Sequence, residues 1–505
     1  MKPQALTVAI DRVGGNVADV LERRWTLIAC AVMALQAALV LNHEPWFDEW
    51  QAVQIAVQSP NLKTFFVNLT YEGHPPLWYA ALWLGAKIAG PYAALSATAL
   101  ACTMVSQYLL LFRSPFSHAI RLSIAFSAII LFEYNTISRS YTLGVMLLFC
   151  LLTIWDRRRI PWLPIALLPA LEFFFGVFTL YFIARRWRDG RLWWPGVAAW
   201  LVVSILSAIS IIPAADNVPG FRQVEAEALT NVVRYILHLS ALVFPLGITE
   251  GRLYWDMLPP FYSAFVLWAV FGAICFVETR RMPMERTALF GFMLLQAGFY
   301  VFVTPLAIRH AMLAALLLLT IEWVKVSNGG KPRALFRGWI FINAICGLTL
   351  GIMSLFVPFD TSRSAAEFIR QNELGDAHWV AFPRTQGQGV NALTNLQFER
   401  PGHSCKQAVV RWAGVDRTPD SESFDKWVSK VSAVRGRFYV MTSDELDESD
   451  EIKRIGNIPA GYDRWIYRMY VVNPDKPLWR PDMPSCTPDL QQYFSETPEI
   501  DVSVR

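Results

Sequence analysis

The sequence predicts a polytopic α-helical membrane domain of about 11 spans, residues 25–357, followed by a soluble α/β domain, residues 358–505. Of the 505 residues, 54% are hydrophobic and 17% are charged. The apolar residues form runs of roughly 17 to 24, enough to cross about 30 Å of hydrocarbon. These runs stop near Pro358. The net charge of +4 is spread over many loops and gives no indication of a nucleic-acid partner.

Residues 1–24 are predicted to form a cytoplasmic amphipathic segment on the membrane surface, with a loose tail as the alternative. Charged residues interrupt this segment and it lacks a long apolar stretch, which argues against a cleavable signal peptide. The apolar residues that recur at helical spacing are Leu6, Ile10, Val13, Val17 and Leu21.

Basic clusters predict the topology, because cytoplasmic loops of membrane proteins are enriched in Lys and Arg. Placing these clusters inside puts the amino terminus in the cytoplasm and the C-terminal domain in the periplasm of a bacterial inner-membrane protein. Residues 75–90 must then lie at the outer interface instead of crossing it. The clusters lie at 23–24, 157–159, 185–191, 280–286 and 325–337.

The eleven predicted spans follow from this topology, and the fifth and sixth are short enough to form a hairpin. The loop 213–258 is predicted to hold a flap and a helix beside an acceptor entrance. The spans lie near 25–41, 92–112, 117–133, 141–155, 160–171, 173–185, 192–212, 259–277, 287–304, 311–326 and 338–357.

Ionisable groups from five separate segments converge on the predicted outer face. Such groups are costly at membrane depth, which makes them candidates for function. Each one alone could be a solvated loop residue or a side chain that reaches the headgroups. Their convergence is the stronger signal. The residues are Asp48, Glu49, Glu72, His74, Glu133, Arg139, Tyr141, Glu172, Arg309 and His310.

These residue types suit group transfer from a phosphate-linked lipid. A carboxylate can take a proton from a hydroxyl nucleophile, while Arg and His can hold a phosphate as it leaves. No Walker loop, dinucleotide-binding glycine motif or zinc motif is present in the sequence. The sequence leaves open whether Asp48, Glu49 and Glu133 bind a divalent ion.

Four short motifs resemble the GT-C superfamily of polyprenyl-phosphate-sugar glycosyltransferases, especially the bacterial family 39 relatives of protein O-mannosyltransferases and lipid A aminoarabinose transferases. They are FDEWQA at 47–52, EGHPPLWY at 72–79, SRSYTL at 138–143 and IRHAMLAALLLL at 308–319. The similarity covers roughly residues 25–360. It implies inverting transfer of a sugar from a polyprenyl-phosphate donor to a hydroxyl of a glycan, lipid or protein, without a required metal or other cofactor.

The resemblance also implies residue roles. Asp48 corresponds to the first-loop acid, the general base, with Glu49 beside it. His74 stands before the Pro-Pro pair at a position facing the lipid phosphate. Arg139 and Tyr141 match an Arg-x-Tyr motif, and the late Arg309 lies near the donor phosphate. The substrate-binding candidates are Glu72, Glu133, Tyr141, Glu172 and His310.

One position departs from the family pattern. Many relatives carry an acidic residue shortly before the Arg-x-Tyr motif, whereas this chain has Thr136 and Ile137. Glu133 is the nearest carboxylate. The second acidic role is therefore unassigned.

The outer helix and the tail complete the predictions. Pro75 and Pro76 are expected to begin the interfacial helix, with Trp78, Tyr79 and Trp83 as interface anchors.

In the tail, Cys405 and Cys486 could form a disulfide or remain free thiols, while the other five cysteines fall in spans. The predicted tail elements are helices at 363–372 and 421–432 and strands at 378–383, 437–442 and 464–472.

Three other functions remain compatible with the sequence. A polymerase or ligase of lipid-linked glycans would share the spans and the outer Arg and His residues, but its chemistry is expected in a large outer loop. A transporter would more often show charged residues at mid-membrane, broken helices or inverted repeats. A non-catalytic scaffold of the cell envelope would explain the departure at the second acidic position.

Overall fold

The structure is a computed structural model that describes residues 19, 21–90, 93–212, 224–246, 261–303, 307–383, 385–401, 405–407, 421–461 and 466–486. Most of the predicted amphipathic segment 1–24 lies outside the described residues. The chain divides into two compact units. We call them the helical unit, Met1–Asn42 with Ala99–Ala208 and Gly220–Phe356, and the mixed unit, His43–Thr98 with Ile209–Pro219 and Val357–Arg505.

The region before residue 357 is helical, and each predicted span coincides with helix. The helices are α1 (Trp25–Asn42), α2 (Phe47–Val57), α3 (Leu62–Leu69), α4 (Leu77–Ala89), α5 (Ala93–Tyr108), α6 (His118–Ala125), α7 (Ser140–Thr153), α8 (Trp162–Leu167), α9 (Phe173–Arg188), α10 (Trp194–Ser210), α11 (Val224–Ala241), α12 (Phe261–Thr279), α13 (Pro283–Phe302), α14 (Ile308–Ser327) and α15 (Ala334–Ser354). Two π-helices, Leu109–Arg113 and Ala128–Tyr134, and a 3-10 turn, Leu168–Ala170, extend this set.

The length and apolar composition of its helices identify the chain as a membrane protein. Among the described residues, four helical segments are long and apolar enough to cross a bilayer: Trp25–Asn42, Ala93–Arg113, Ile308–Ser327 and Ala334–Ser354. Shorter apolar helices occupy Leu77–Ala89, Ser140–Thr153, Trp194–Ser210 and Ser263–Thr279. The count of eleven spans and their orientation stay predictions.

The predicted span 117–133 is broken into α6 and the π-helix Ala128–Tyr134. Ser127 begins the second piece, and its hydroxyl accepts a hydrogen bond from the Ile130 amide at 3.3 Å. The break packs directly against Gly347 of α15, where any side chain would overlap the backbone of residues 126–128. This close approach places Glu133 and Tyr134 at the end of the π-helix.

Helix α11, in the region predicted to hold a flap, packs within the helical unit. Tyr235 donates a hydrogen bond to the Met293 carbonyl at 3.0 Å, and His238 Nδ1 lies 2.5 Å from the Tyr300 hydroxyl. Both contacts tie α11 to α13. Residues 213–223 and 247–260, which flank α11 in the predicted flap, lie outside the described part of the chain.

The mixed unit contains a six-stranded sheet of order β3-β2-β1-β4-β6-β5. Strands β1 and β2 and strands β1 and β4 are parallel, whereas the outer pairs are antiparallel. The elements are α16 (Ser362–Gln371), β1 (Trp379–Phe382), α17 (Gln388–Thr394), β2 (Phe398–Arg400), β3 (Cys405–Gln407), α18 (Ser421–Val434), β4 (Phe438–Thr442), β5 (Ile452–Ile458) and β6 (Tyr467–Val472). The five predicted tail elements agree with α16, α18, β1, β4 and β6.

The first loop belongs to the same unit as the C-terminal sheet. Helix α2 packs against α4 and α17. Trp50 Nε1 donates to Ser362 Oγ at 3.2 Å, and the Arg363 amide donates to Glu44 Oε1 at 2.6 Å. The expectation that Trp78 and Tyr79 act as interfacial anchors is wrong, because both rings are buried and the Tyr79 hydroxyl donates to Glu72.

A buried carboxyl pair, Glu44 and Asp360, should make the mixed unit pH-sensitive. Burial, followed by the charge of Glu44, raises the pKa of Asp360 to about 7, and burial also raises the pKa of Glu44. The native state therefore binds more protons than the unfolded chain between about pH 4 and pH 7, so stability is highest below this window and falls as pH rises through it.

We expect Asp360→Asn to flatten that dependence and to stabilise the protein by about 1 to 3 kcal/mol at pH 8. Asn keeps an oxygen for the Tyr467 hydroxyl, which donates to Asp360 Oδ1 at 3.0 Å, and for the Ser362 amide. Thermal unfolding of both proteins from pH 5 to pH 8 measures the effect. Parallel curves for wild type and variant would contradict it.

Cys405 and Cys486 form a disulfide, which is one of the two alternatives that the sequence left open, the other being two free thiols. The bridge fastens the C-terminal segment to edge strand β3, where the Cys486 amide also donates to the Lys406 carbonyl at 2.8 Å. The cysteines are 81 residues apart in sequence. Closing a loop of this length removes much of the conformational freedom of the unfolded chain.

We expect the double variant Cys405→Ser with Cys486→Ser to lose about 2 to 4 kcal/mol of stability. Denaturant unfolding followed by tryptophan fluorescence measures this, with Cys346→Ser as the matched control for losing a buried thiol elsewhere. Equal midpoints for the double variant and wild type would show that the bridge does not stabilise the fold.

Candidate functional site

Three helices of the helical unit begin beside the predicted polar residues. Arg139 precedes α7 at its N-cap position, and Glu172 occupies the same position before α9. Arg309 and His310 lie in the first turn of α14. We call the six predicted residues of this unit the helix-end cluster: Glu133, Arg139, Tyr141, Glu172, Arg309 and His310.

Tyrosine rings connect these helix ends. The Tyr134 and Tyr141 rings stack with their centroids 5.3 Å apart, and the Tyr134 hydroxyl donates to the Arg309 carbonyl at 2.7 Å. The His310 ring meets Tyr141 edge-on at 6.0 Å. Gln296 Nε2 donates to the His310 carbonyl at 2.5 Å. The starts of α7 and α14 are therefore held side by side.

Tyr141 lies at the centre of the helix-end cluster. Its side chain is buried, and the charges of Glu172, Arg309, Arg139 and Glu133 all act on its hydroxyl. The two carboxylates are nearly inaccessible, with Glu133 2% and Glu172 5% exposed. Arg139 and Arg309 are half-buried. The cations thus retain access that the anions lack.

Both arginines of the cluster stand at helix starts. Helix N-termini carry partial positive charge, so an arginine there is repelled by its own helix. Arg139 and Arg309 both occupy such positions. Free backbone N–H groups and guanidinium groups at a helix start are the ordinary elements of a phosphate site.

Thr136, which stands near the unassigned acidic position, belongs to a buried neutral network. Gln36 Nε2 donates to Thr136 Oγ1 at 3.2 Å, and Gln107 Nε2 donates to Gln36 Oε1 at 3.0 Å. A carboxylate here would be buried among amides. Thr136 is therefore held by neutral hydrogen bonds, and Glu133 is the carboxylate of this segment in the helix-end cluster.

The other four predicted residues form the first-loop cluster of the mixed unit: Asp48, Glu49, Glu72 and His74. Asp48 and Glu49 both lie in the first turn of α2, where carboxylates are favoured by the helix dipole. Their environments differ. Glu49 is fully buried, its Oε2 lies 2.9 Å from His43 Nε2, and it accepts the Trp46 amide at 3.1 Å. Asp48 is partly exposed.

Glu72 connects the two helices of the first-loop cluster. It accepts hydrogen bonds from Gln51 of α2 and, at 2.9 Å, from the Tyr79 hydroxyl of α4. Gly73 follows with φ +66°, a conformation that favours glycine. This turn positions the half-buried His74 before Pro75. The cluster is therefore shaped by a tight turn and by contacts that hold Glu72 in place.

Sequence reasoning missed His43, Gln51 and Tyr134, which hold functional candidates in place. A histidine six residues before Glu49 offers no periodic signal, and Tyr134 looks like an ordinary interfacial aromatic. Within the described parts of the chain, no group of three or more His, Cys, Asp or Glu side chains is arranged to hold a metal ion.

A solved structure is similar to this chain. No protein-family model matches this chain, and no curated protein matches it. The crystal structure of ArnT from Cupriavidus metallidurans bound to undecaprenyl phosphate is similar to it, with 12% sequence identity and a TM-score of 0.46. The alignment covers 88% of this chain and 98% of that chain.

Proposed function

We propose that this protein is a glycosyltransferase that moves a sugar from a polyprenyl-phosphate donor to a hydroxyl group of a cell-envelope glycan, lipid or protein. The observation that carries the proposal is the helix-end cluster, in which Arg139, Arg309 and His310 meet at the starts of α7 and α14. The motif resemblance in the sequence supports the same activity. The reaction is assigned to the outer face of a bacterial inner membrane.

The helix-end cluster would bind the donor phosphate. A polyprenyl phosphate leaves as an anion without needing a proton, so its departure is aided by fixed positive charge. Arg139 and Arg309 supply guanidinium donors, and their helices add backbone N–H groups. The charges of buried Glu133 and Glu172 and of both arginines act on the Tyr141 hydroxyl, around which the cluster is built. His74 keeps the phosphate-facing role that the motif resemblance implies.

The first-loop cluster would supply the base. Asp48 takes the proton of the acceptor hydroxyl, whose oxygen forms a bond to the anomeric carbon as the bond from that carbon to the phosphate oxygen breaks. One displacement inverts the configuration and releases polyprenyl phosphate. Glu49 is already committed to His43 and the Trp46 amide. Asp48 is the partly exposed carboxylate of the pair.

A disulfide in the mixed unit supports an outer assignment. Its Cys405–Cys486 disulfide is of a kind that persists in oxidising compartments. The first loop, which carries Asp48, packs on that same unit through Trp50 and Ser362. The proposed base and the C-terminal domain are therefore assigned to the same compartment.

Binding of polyprenyl monophosphate tests the proposed phosphate site. We expect Arg309→Gln to weaken binding to purified protein in nanodiscs by about tenfold or more, because a charge-assisted hydrogen bond is lost. Arg337→Gln is the matched control, since Arg337 also lies in the first turn of an apolar helix, α15, and is exposed. Equal losses for both variants would remove the helix-end cluster as the phosphate site.

A further inference from the structure

An apolar groove lies between three helices of the helical unit. Its volume is about 520 Å³. It runs along the later part of α9, the first half of α13 and the middle of α14. Its lining residues include Phe178, Tyr181, Ala184, Met284, Gly291 and Leu317.

The groove ends among arginines. Arg185, next to the lining residue Ala184, pairs with Glu285 at 2.7 Å, and Arg188 lies 3.8 Å from the same carboxylate. The charges of Arg185, Glu285 and Arg188 all act on the hydroxyl of Tyr181, which lines the groove. The basic end and the apolar wall are therefore contiguous.

The charge at this end is positive in excess. Glu285 is shared between Arg185 and Arg188, Asp189 also pairs with Arg188 at 3.6 Å, and the Arg188 side chain is 49% exposed. Arg280 and Arg281 add two positive charges on the turn that joins α12 to α13, and Arg286 adds a third in the first turn of α13. Pro283 and Met284, which begin α13, line the groove. A ligand that fits must combine a negative headgroup with a long apolar chain.

We infer that this groove is a binding site for an anionic phospholipid, with an acyl chain along α9 and α13 and the headgroup phosphate among the arginines. Basic pockets between membrane helices recognise such lipids through this pairing of charge and apolar contact. Zwitterionic phospholipids would place an ammonium group beside the same arginines. The arginines of the groove and Glu172 of the helix-end cluster lie at opposite ends of α9, and the inference does not depend on the proposed glycosyl transfer.

Gly291 provides a specific probe of the groove. A glycine within a helix is unfavourable relative to alanine. A methyl group placed on Gly291 would meet no other protein atom within 4 Å among the described residues, so a side chain there would extend into the groove. Gly272 of α12 is equally open, lies a similar distance from the same turn, and does not line the groove. Comparing a substitution at Gly291 with the same substitution at Gly272 separates the effect of filling the groove from the general effect of replacing a helical glycine.

The test compares phosphatidylglycerol with phosphatidylcholine of identical acyl chains, added to delipidated full-length protein in detergent. Native mass spectrometry counts bound lipid. We expect phosphatidylglycerol to be retained at least about fivefold more than phosphatidylcholine, and the variant Arg281→Gln with Arg286→Gln to retain the two lipids about equally. Gly291→Leu should abolish retention, and Gly272→Leu should leave it unchanged.

Three results would overturn the inference. Equal retention of the two lipids by the wild-type protein would show that the arginines do not select a headgroup. Retention by Gly291→Leu equal to wild type would place the lipid elsewhere. Loss of phosphatidylglycerol from Arg309→Gln, with the double arginine variant unaffected, would place it at the helix-end cluster. The arginine variants change surface side chains, so they keep the test decisive if Gly291→Leu does not fold.

Discussion

Asp48→Asn is expected to lower the rate of sugar transfer by about 10²- to 10⁴-fold, because the acceptor hydroxyl loses its base. The substitution keeps the size and polarity of a partly exposed side chain, so the fold should remain stable. Single-turnover transfer from a polyprenyl-phosphate sugar measures the chemical step. The same samples should show an unfolding temperature close to that of wild type.

Glu49→Gln is the matched control for this prediction, because the two carboxylates are adjacent. Glu49 is buried against His43 and the Trp46 amide. Replacing it should cost about 1 to 3 kcal/mol of stability by weakening buried charge-assisted hydrogen bonds. If the folded Glu49→Gln protein lost the chemical step while Asp48→Asn retained it, the roles assigned to the two residues would be reversed.

Arg309→Ala is expected to lower kcat/KM for the donor by about 10²- to 10³-fold, since it removes a preorganised cation from the departing phosphate. Arg309→Lys should recover part of the loss, because it restores charge without the two-pronged donor geometry. Steady-state transfer at varied donor concentration measures both variants. Arg337→Ala is the control with the same change of charge at another helix start.

A folded Arg309→Ala protein with wild-type kcat/KM would contradict the phosphate role. So would an equal loss in Arg337→Ala, because that result would point to a general effect of net charge. The Lys variant separates charge from geometry. Recovery to the wild-type value would show that a point charge is sufficient.

Hydropathy located the helices because each span needs a continuous apolar run. It did not predict the break between α6 and the π-helix Ala128–Tyr134. That break depends on Gly347, more than 200 residues away, whose lack of a side chain admits the backbone of residues 126–128. No local pattern in the sequence records such a contact.

In the C-terminal domain, too, apolar elements could be predicted from the sequence and a polar element that depends on distant partners could not. Strands β1, β4 and β6 are apolar and were predicted, whereas β2 contains Phe398, Glu399 and Arg400 and was missed. Glu399 is buried because Arg435 pairs with both its carboxylate oxygens, at 2.9 and 3.1 Å, and His378 lies 2.6 Å away. Three polar residues that look solvated in sequence thus form one buried group.

The candidate site could be predicted as a set of residues, but the difference between its members could not. Asp48 and Glu49 are neighbours of similar chemistry, and burial beside His43 is what distinguishes them. The charges around Tyr141 were predicted individually, and the structure brings them to one hydroxyl. The neutral residue at position 136 is explained by the buried amides of Gln36 and Gln107, which the sequence alone does not place beside it.

The most direct test of the central claim is release of polyprenyl phosphate from a panel of radiolabelled polyprenyl-phosphate sugars by the purified wild-type protein with envelope extract as acceptor. The proposed function predicts that at least one donor transfers its sugar to the extract and yields polyprenyl phosphate in equal amount, and that Asp48→Asn does neither. No transfer from any donor of a complete panel, by folded protein in a native-like bilayer, would contradict it.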